Sequence, residues 1–168
     1  SYYSSRHEDV KKNEIYIDAN TFHLMNFVSS RSNSREYEMQ CRNLFREASV
    51  YRHNTGYGST FGIGLSGTPL NEAIVMLNYI IPDFKKQNDL QKVNVCVLSD
   101  GEACSSSYGQ EIYDEHADQT RIVSRRVDFG VILRDRTTGR VYSGFDYDNA
   151  TSIFIQQVRD RNPFVNVI

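Results

Sequence analysis

The spacing of apolar positions changes several times along the chain, and each change predicts an element. Glu14 to Asp18 is short and β-prone around Ile15, Tyr16 and Ile17. From Ser34 onward, Tyr37, Cys41, Leu44, Phe45 and Ala48 recur at helical spacing and predict a helix over 34–48. Residues 54–67 are rich in Gly, Ser, Thr and Asn, which marks an irregular loop. Gly67-Thr68-Pro69-Leu70 then opens a second helix. Thr68 suits the N-cap and Pro69 the first helical position, and Leu70, Ala73, Ile74, Leu77 and Ile81 share one face. Pro82 is expected to end or kink this helix.

Val93 to Leu98 is a β-branched run too apolar to keep one face in water, as expected of a parallel strand covered by helices. It stops at Ser99-Asp100-Gly101-Glu102. Val127 to Leu133 and Arg140 to Phe145 flank the turn residues 135–139 and predict a β-hairpin insertion over 127–145. Asn149 to Arg161 reads as a helix with Ile153, Phe154 and Val158 inward, and Val165 to Ile168 as the next central strand. The succession of strand, hairpin, helix and strand predicts a strand–crossover–strand unit interrupted by the hairpin.

Composition narrows the picture. With 168 residues, 39% hydrophobic and 24% charged, the chain suits one domain with one core. Its 19 Lys+Arg are scattered among 21 Asp+Glu for a formal net charge of −2, so nothing favours nucleic acid or an anionic membrane as partner. No apolar run has the length of a membrane span, and the N-terminus lacks the layout of a signal peptide. Cys41, Cys96 and Cys104 are odd in number and far apart, which fits neither a disulfide framework nor a zinc site. A cytoplasmic protein is expected. The chain opens on Ser1 and closes within the strand-like 165–168, so a fragment cut at both ends is expected as well.

The strongest candidate for chemistry is Asp100. Open parallel sheets bind ligands beyond the carboxyl ends of their strands. A carboxylate at such a tip can serve as a hard oxygen ligand for Mg²⁺, directly or through water. Asp100-Gly101 is equally a common turn dipeptide, and the Thr68 hydroxyl equally a plain helix cap. Other groups carry less. His7, His23, His53 and His116 show no ligand spacing, and Ser105-Ser106-Ser107 lacks a nucleophile elbow and reads as a flexible loop. Gly56-x-Gly58 and Gly62-x-Gly64 lack the lysine of a phosphate loop. Glu111, Asp114, Glu115 and Asp118 surround a possible helix and read as a solvated acidic face.

Taken together and in this order, Leu65-Ser66-Gly67-Thr68-Pro69-Leu70 and Leu98-Ser99-Asp100-Gly101 resemble two loops of the metal-ion-dependent adhesion site of von Willebrand factor A-like domains. The resemblance spans roughly residues 61–168, and within the family it falls on the cobalt-chelatase T-subunit-like proteins of bacteria and tailed phages. It implies an α/β fold of three layers, a doubly wound, Rossmann-like and mostly parallel sheet. It also implies that in the intact domain Mg²⁺ or another divalent cation is held by the site's first loop together with Thr68 and Asp100, with Ser66 and Ser99 lining the same crevice and Glu102 behind them, and that residues 1–168 alone hold it weakly if at all.

The family's first loop, D-x-S-x-S, is not matched. Asp18-Ala19-Asn20-Thr21-Phe22 has Asn and Phe where the two serines belong, so the true first loop is expected upstream, and 1–168 is expected to be a single partial domain. The function implied is a metal-dependent protein-interaction module that works beside an AAA+ ATPase of the cobalt-chelatase S-subunit or MoxR type and binds a partner that offers an acidic residue. Two alternatives stay open: a subunit of a chelatase-like enzyme complex, and a phage structural protein that keeps the fold without a working metal site. The chain holds no self-contained catalytic constellation.

Overall fold

A computed structural model describes residues 10–18, 22–52, 67–99 and 101–168. The chain divides into two compact units, one of residues 1–18 and 67–168, the other of residues 19–66. The Gly-rich loop expected over 54–67 falls almost entirely outside the described residues.

In the smaller unit the main element is α1, Ser34–Arg52. Its start is a reciprocal cap. The Asn33 Oδ1 accepts the N–H groups of Arg35 and Glu36 at 3.1 and 3.0 Å, and the Glu36 carboxylate accepts the Asn33 N–H at 3.1 Å. The helix runs one turn beyond the expected 48. Tyr37, Leu44 and Phe45, which the periodicity assigns to an inward face, are exposed.

In the larger unit the elements are β1 (Ile15–Tyr16), α2 (Leu70–Gln87), β2 (Val93–Val95), β3 (Ser107–Asp114), β4 (Gln119–Arg126), β5 (Leu133–Arg134), β6 (Val141–Tyr142), α3 (Ala150–Arg161) and β7 (Val165–Val167). β2 and β7 pair in parallel, Val93 with Val165 and Val95 with Val167, so a strand–crossover–strand unit is present. The doubly wound, mostly parallel three-layer sheet is not. The strands form three small sheets: antiparallel β1-β3-β4, parallel β2-β7 and antiparallel β5-β6.

The physical reason is visible in the strand expected to be covered on both faces. Val93 is buried and Val95 and Val97 are half-buried, whereas Asn94, Cys96 and Leu98 face outward, Leu98 with 91% of its surface exposed. Only one face of this pair is covered, which is the alternating pattern of a one-sided sheet.

Most strand residues lie in a hairpin that the periodicity missed. Residues 107–126 form β3 and β4 in full antiparallel register from Ser107↔Arg126 to Asp114↔Gln119, so Ser107, expected at the end of a flexible loop, and the possible helix around 111–118 are instead strand and turn. Tyr108, Ile112, Tyr113, Thr120, Ile122 and Val123 suit a pleated surface, and this outweighs the acidic residues around them. Of the acidic cluster, Glu111 and Asp114 are in β3, and Glu115 and Asp118 are in the turn. There Asp114 accepts the N–H groups of His116 and Ala117, and Asp118 takes a left-handed φ of 48°.

The 135–139 turn is present, but its strands are two residues each. Helix α2 continues through Pro82 to Gln87 instead of ending there. It packs on α3 around Ile74, Ile81, Phe145, Phe154, Val158 and Val167, with the Phe145 and Phe154 rings 5.6 Å apart.

Within this core runs a buried polar chain. Asn78 Nδ2 donates to Gln157 Oε1 at 2.7 Å, and Gln157 Nε2 donates to the Asp135 carboxylate. Asp135 also accepts the N–H groups of Thr137 and Thr138 at 2.7 and 2.9 Å. Burial pushes the Asp135 carboxyl up, but the Thr138 N–H, the Gln157 amide and the Thr137 N–H outweigh it and hold it below its ordinary value of 3.8. The stabilisation is complete above the unfolded value and is lost as pH falls through the lowered folded value. Urea melts between about pH 2 and 5 should therefore show an acid-limb loss of stability that Asp135→Asn flattens.

Gly109 sets a second constraint, because a Cβ there would lie 2.1 Å from the Lys11 carbonyl oxygen. Gly109→Ala should push residues 10–16 off β3 and cost roughly 1–3 kcal/mol. Faster hydrogen exchange at the Ile15 and Tyr16 amides would register it.

Candidate metal centre

Of the residues singled out in the sequence, Thr68, Ser99 and Glu102 are described, and Ser66 and Asp100 lie outside the described residues. Gly67 adopts φ +89°, where a side chain would be strained, and turns the chain into Thr68. The Thr68 carbonyl accepts the N–H groups of both Leu70 and Cys104 at 2.8 Å, and the Thr68 N–H points at the Cys104 sulfur at 3.2 Å. The 67–69 turn and the 101–104 loop, joined by Thr68 and Cys104 across 36 positions of the chain, are thus stitched together.

The start of α2 differs from the expectation by one position. Pro69 is the N-cap, Leu70 is the first helical residue, and no side chain caps the helix. A proline has no side-chain acceptor to offer, so the helix opens on backbone contacts alone. The plain-cap reading of Thr68 therefore does not hold: its hydroxyl is not the cap of α2. The Thr68 Oγ1 lies 3.4 Å from the point where a Cβ on Gly101 would sit, which places it against the second loop.

Ser99 brackets that loop. Its Oγ donates to the Gly101 carbonyl at 2.8 Å and accepts the Gly101 N–H at 3.3 Å. Glu102 is exposed, and its interaction with the Tyr147 hydroxyl, with the carboxylate charge behind it, pushes the Tyr147 phenol up. Leu70, Gly101, Glu102, Ala103, Tyr147, Asp148 and Thr151 line an open cleft of about 260 Å³.

Sequence reasoning missed the residues that close this cleft. Asn71, only 2% exposed, donates to the Cys104 carbonyl at 3.1 Å and accepts the Thr151 hydroxyl at 2.7 Å. One amide thus joins the first turn of α2, the 101–104 loop and the first turn of α3. The available signal was Asp146-Tyr147-Asp148-Asn149 ahead of a helix, an acidic cap segment. Asp146 accepts the N–H groups of Asp148 and Asn149 at 3.0 and 2.8 Å, and so aims Tyr147 and Asp148 at the cleft.

The oxygen donors in and beside the cleft, namely the Thr68 and Thr151 hydroxyls and the Glu102 and Asp148 carboxylates, fit a hard divalent cation in kind. Among the described residues no three His, Cys, Asp or Glu side chains converge. A larger cavity of about 410 Å³, floored by Phe145 and Phe154 and rimmed by Arg134 and Arg136, is lined by none of Thr68, Ser99 and Glu102. No helix of the described residues is long and apolar enough to cross a membrane. Compared with family models, with characterised proteins and with solved structures, the chain gives no match.

Asn71→Ala should strand the Cys104 carbonyl and the Thr151 hydroxyl, at a cost of about 1–3 kcal/mol. Urea denaturation would measure the loss, and NMR shifts confined to 101–104 and 147–151 would locate it.

Proposed function

We propose that the crevice at the end of β2 is a divalent-cation-dependent docking site for a protein partner. Thr68 and Asp100 would hold the cation, with Ser66, Ser99 and Glu102 around them. A bound Mg²⁺ would supply an open coordination position for a partner's Asp or Glu. The observation that carries the reading is the stitching of the Thr68 turn to the 101–104 loop, which leaves the Thr68 hydroxyl outside the helix cap and against Gly101.

The likeness of the 65–70 and 98–101 segments to von Willebrand factor A-like loops supports the same reading, and so does the oxygen character of the cleft. Within that likeness, an AAA+ ATPase complex is the setting we propose. We read the crevice as a binding site.

Mn²⁺ is a suitable probe, because its bound water relaxes solvent protons. Titrating Mn²⁺ into the chain should give an enhanced water relaxation that acetate reduces by taking the open position. Asp100→Ala and Thr68→Val should each weaken Mn²⁺ binding by about tenfold or more, with the circular dichroism unchanged. Mn²⁺ binding of equal strength in all three proteins would overturn the proposal.

A further inference from the structure

In the order β1-β3-β4, β4 is the outermost strand of its sheet, and among the described residues no strand lies on its far side. It is eight residues long, Gln119–Arg126. Alternate backbone N–H and C=O groups of an edge strand point away from the sheet and are free to pair. β1 covers only Ser107 and Tyr108 of β3, with a single bridge from Lys12 to Gly109. Beyond that point the hairpin is two strands wide, and a two-stranded ribbon is marginal in water by itself.

The edge is also strongly one-signed. β4 carries Arg121, Arg125 and Arg126 and no acidic residue. Arg121 reaches Asp114 at 3.2 Å. Opposite Arg125 and Arg126 stand Tyr108 and Ser107, and neither arginine has an ion-pair partner among the described residues. Both are exposed, and Ile122, between the arginines, is 40% exposed.

We propose that β4 is a docking edge for an acidic extended segment of a partner polypeptide, which adds to the sheet as its fourth strand. The backbone ladder would give affinity, and alternating Asp or Glu side chains, which share one face, would select for Arg121 and Arg125, which lie on one face of β4. A second copy of this chain is the poorer occupant, because antiparallel β4–β4 pairing would gather six arginines on one ribbon with no carboxylate from either strand. Arginines on an edge can also serve only to repel other strands, and this predicts no binding.

Fluorescence anisotropy with the whole chain decides the matter. The probe is a labelled peptide of the length of β4 in which Glu alternates with Val or Thr. Three comparisons accompany it: the same peptide with Lys for Glu, the acidic peptide N-methylated on alternate residues in either register, and an oligothymidylate. The acidic peptide should bind at least about tenfold more tightly than the Lys peptide and than one or both N-methylated forms. Arg125→Glu with Arg126→Glu should weaken it by about tenfold or more, and EDTA should have no effect, which separates this edge from the proposed metal site. No binding at millimolar peptide would overturn the proposal. So would equal binding by both N-methylated forms, tighter binding by the oligothymidylate, or indifference to the double reversal in a folded variant. The N-methylated arm leaves the protein untouched and decides even if the variant fails to fold.

Discussion

The packing of α2 on α3 depends on two buried asparagines, Asn71 and Asn78, that lie two helical turns apart on the stripe Asn71, Ile74, Asn78 and Ile81. Apolar contact between Ile74, Ile81, Phe154 and Val158 is non-directional and would tolerate a small slide of one helix along the other. The amides would not. Asn78 must meet Gln157, and Asn71 must meet Thr151 and the Cys104 carbonyl. A buried amide without its partner costs about 1–3 kcal/mol, so the register that satisfies both ends is the one selected.

The two ends of that stripe do different work. At Asn78, Gln157 passes the constraint on to Asp135 and so anchors the β5-β6 turn to α3. At Asn71 the constraint reaches loops instead of helices. It holds the 101–104 segment beside Thr68 and brings Thr151, with the preceding Tyr147 and Asp148, to the same cleft. The candidate site therefore rests on the first turns of two packed helices, a stiffer support than its loop residues could give each other.

The sheets are where the molecule departs from a layered α/β design. The parallel β2-β7 pair is covered on one face, so Cys96 and Leu98 meet solvent, and the longest strands belong to the hairpin β3-β4. That hairpin is tied to the rest mainly through β1, where Gly109 lets the Lys11 carbonyl approach closely, and through Lys12 with Glu111. What remains of it is exposed and, along β4, basic.

Helical periodicity was legible in the sequence: the 34–48, 70–81 and 149–161 patterns each lie within a helix or overlap its limits by a residue. So was the parallel pairing of the segments at 93 and 165, which follows from one helix between two apolar runs. The exact face of α2 was not legible. Counting apolar residues picks out Leu70, Ala73, Ile74, Leu77 and Ile81, of which Ile74 and Ile81 are fully buried, but it passes over the equally buried Asn71 and Asn78, because hydrogen-bond partners for an amide are contributed by residues far away in the chain. The same holds for the β3-β4 hairpin, whose acidic residues masked its strand character. It holds too for the cleft, where the Asn71 amide joins Thr151 to the 101–104 loop and so helps to bring Tyr147 and Asp148 beside Glu102. Local pattern thus determined where helices form and which turns flank Thr68. Which polar groups become buried, and which loops they bind together, was decided only by tertiary packing, since a buried polar group's free energy depends on partners that no local window contains.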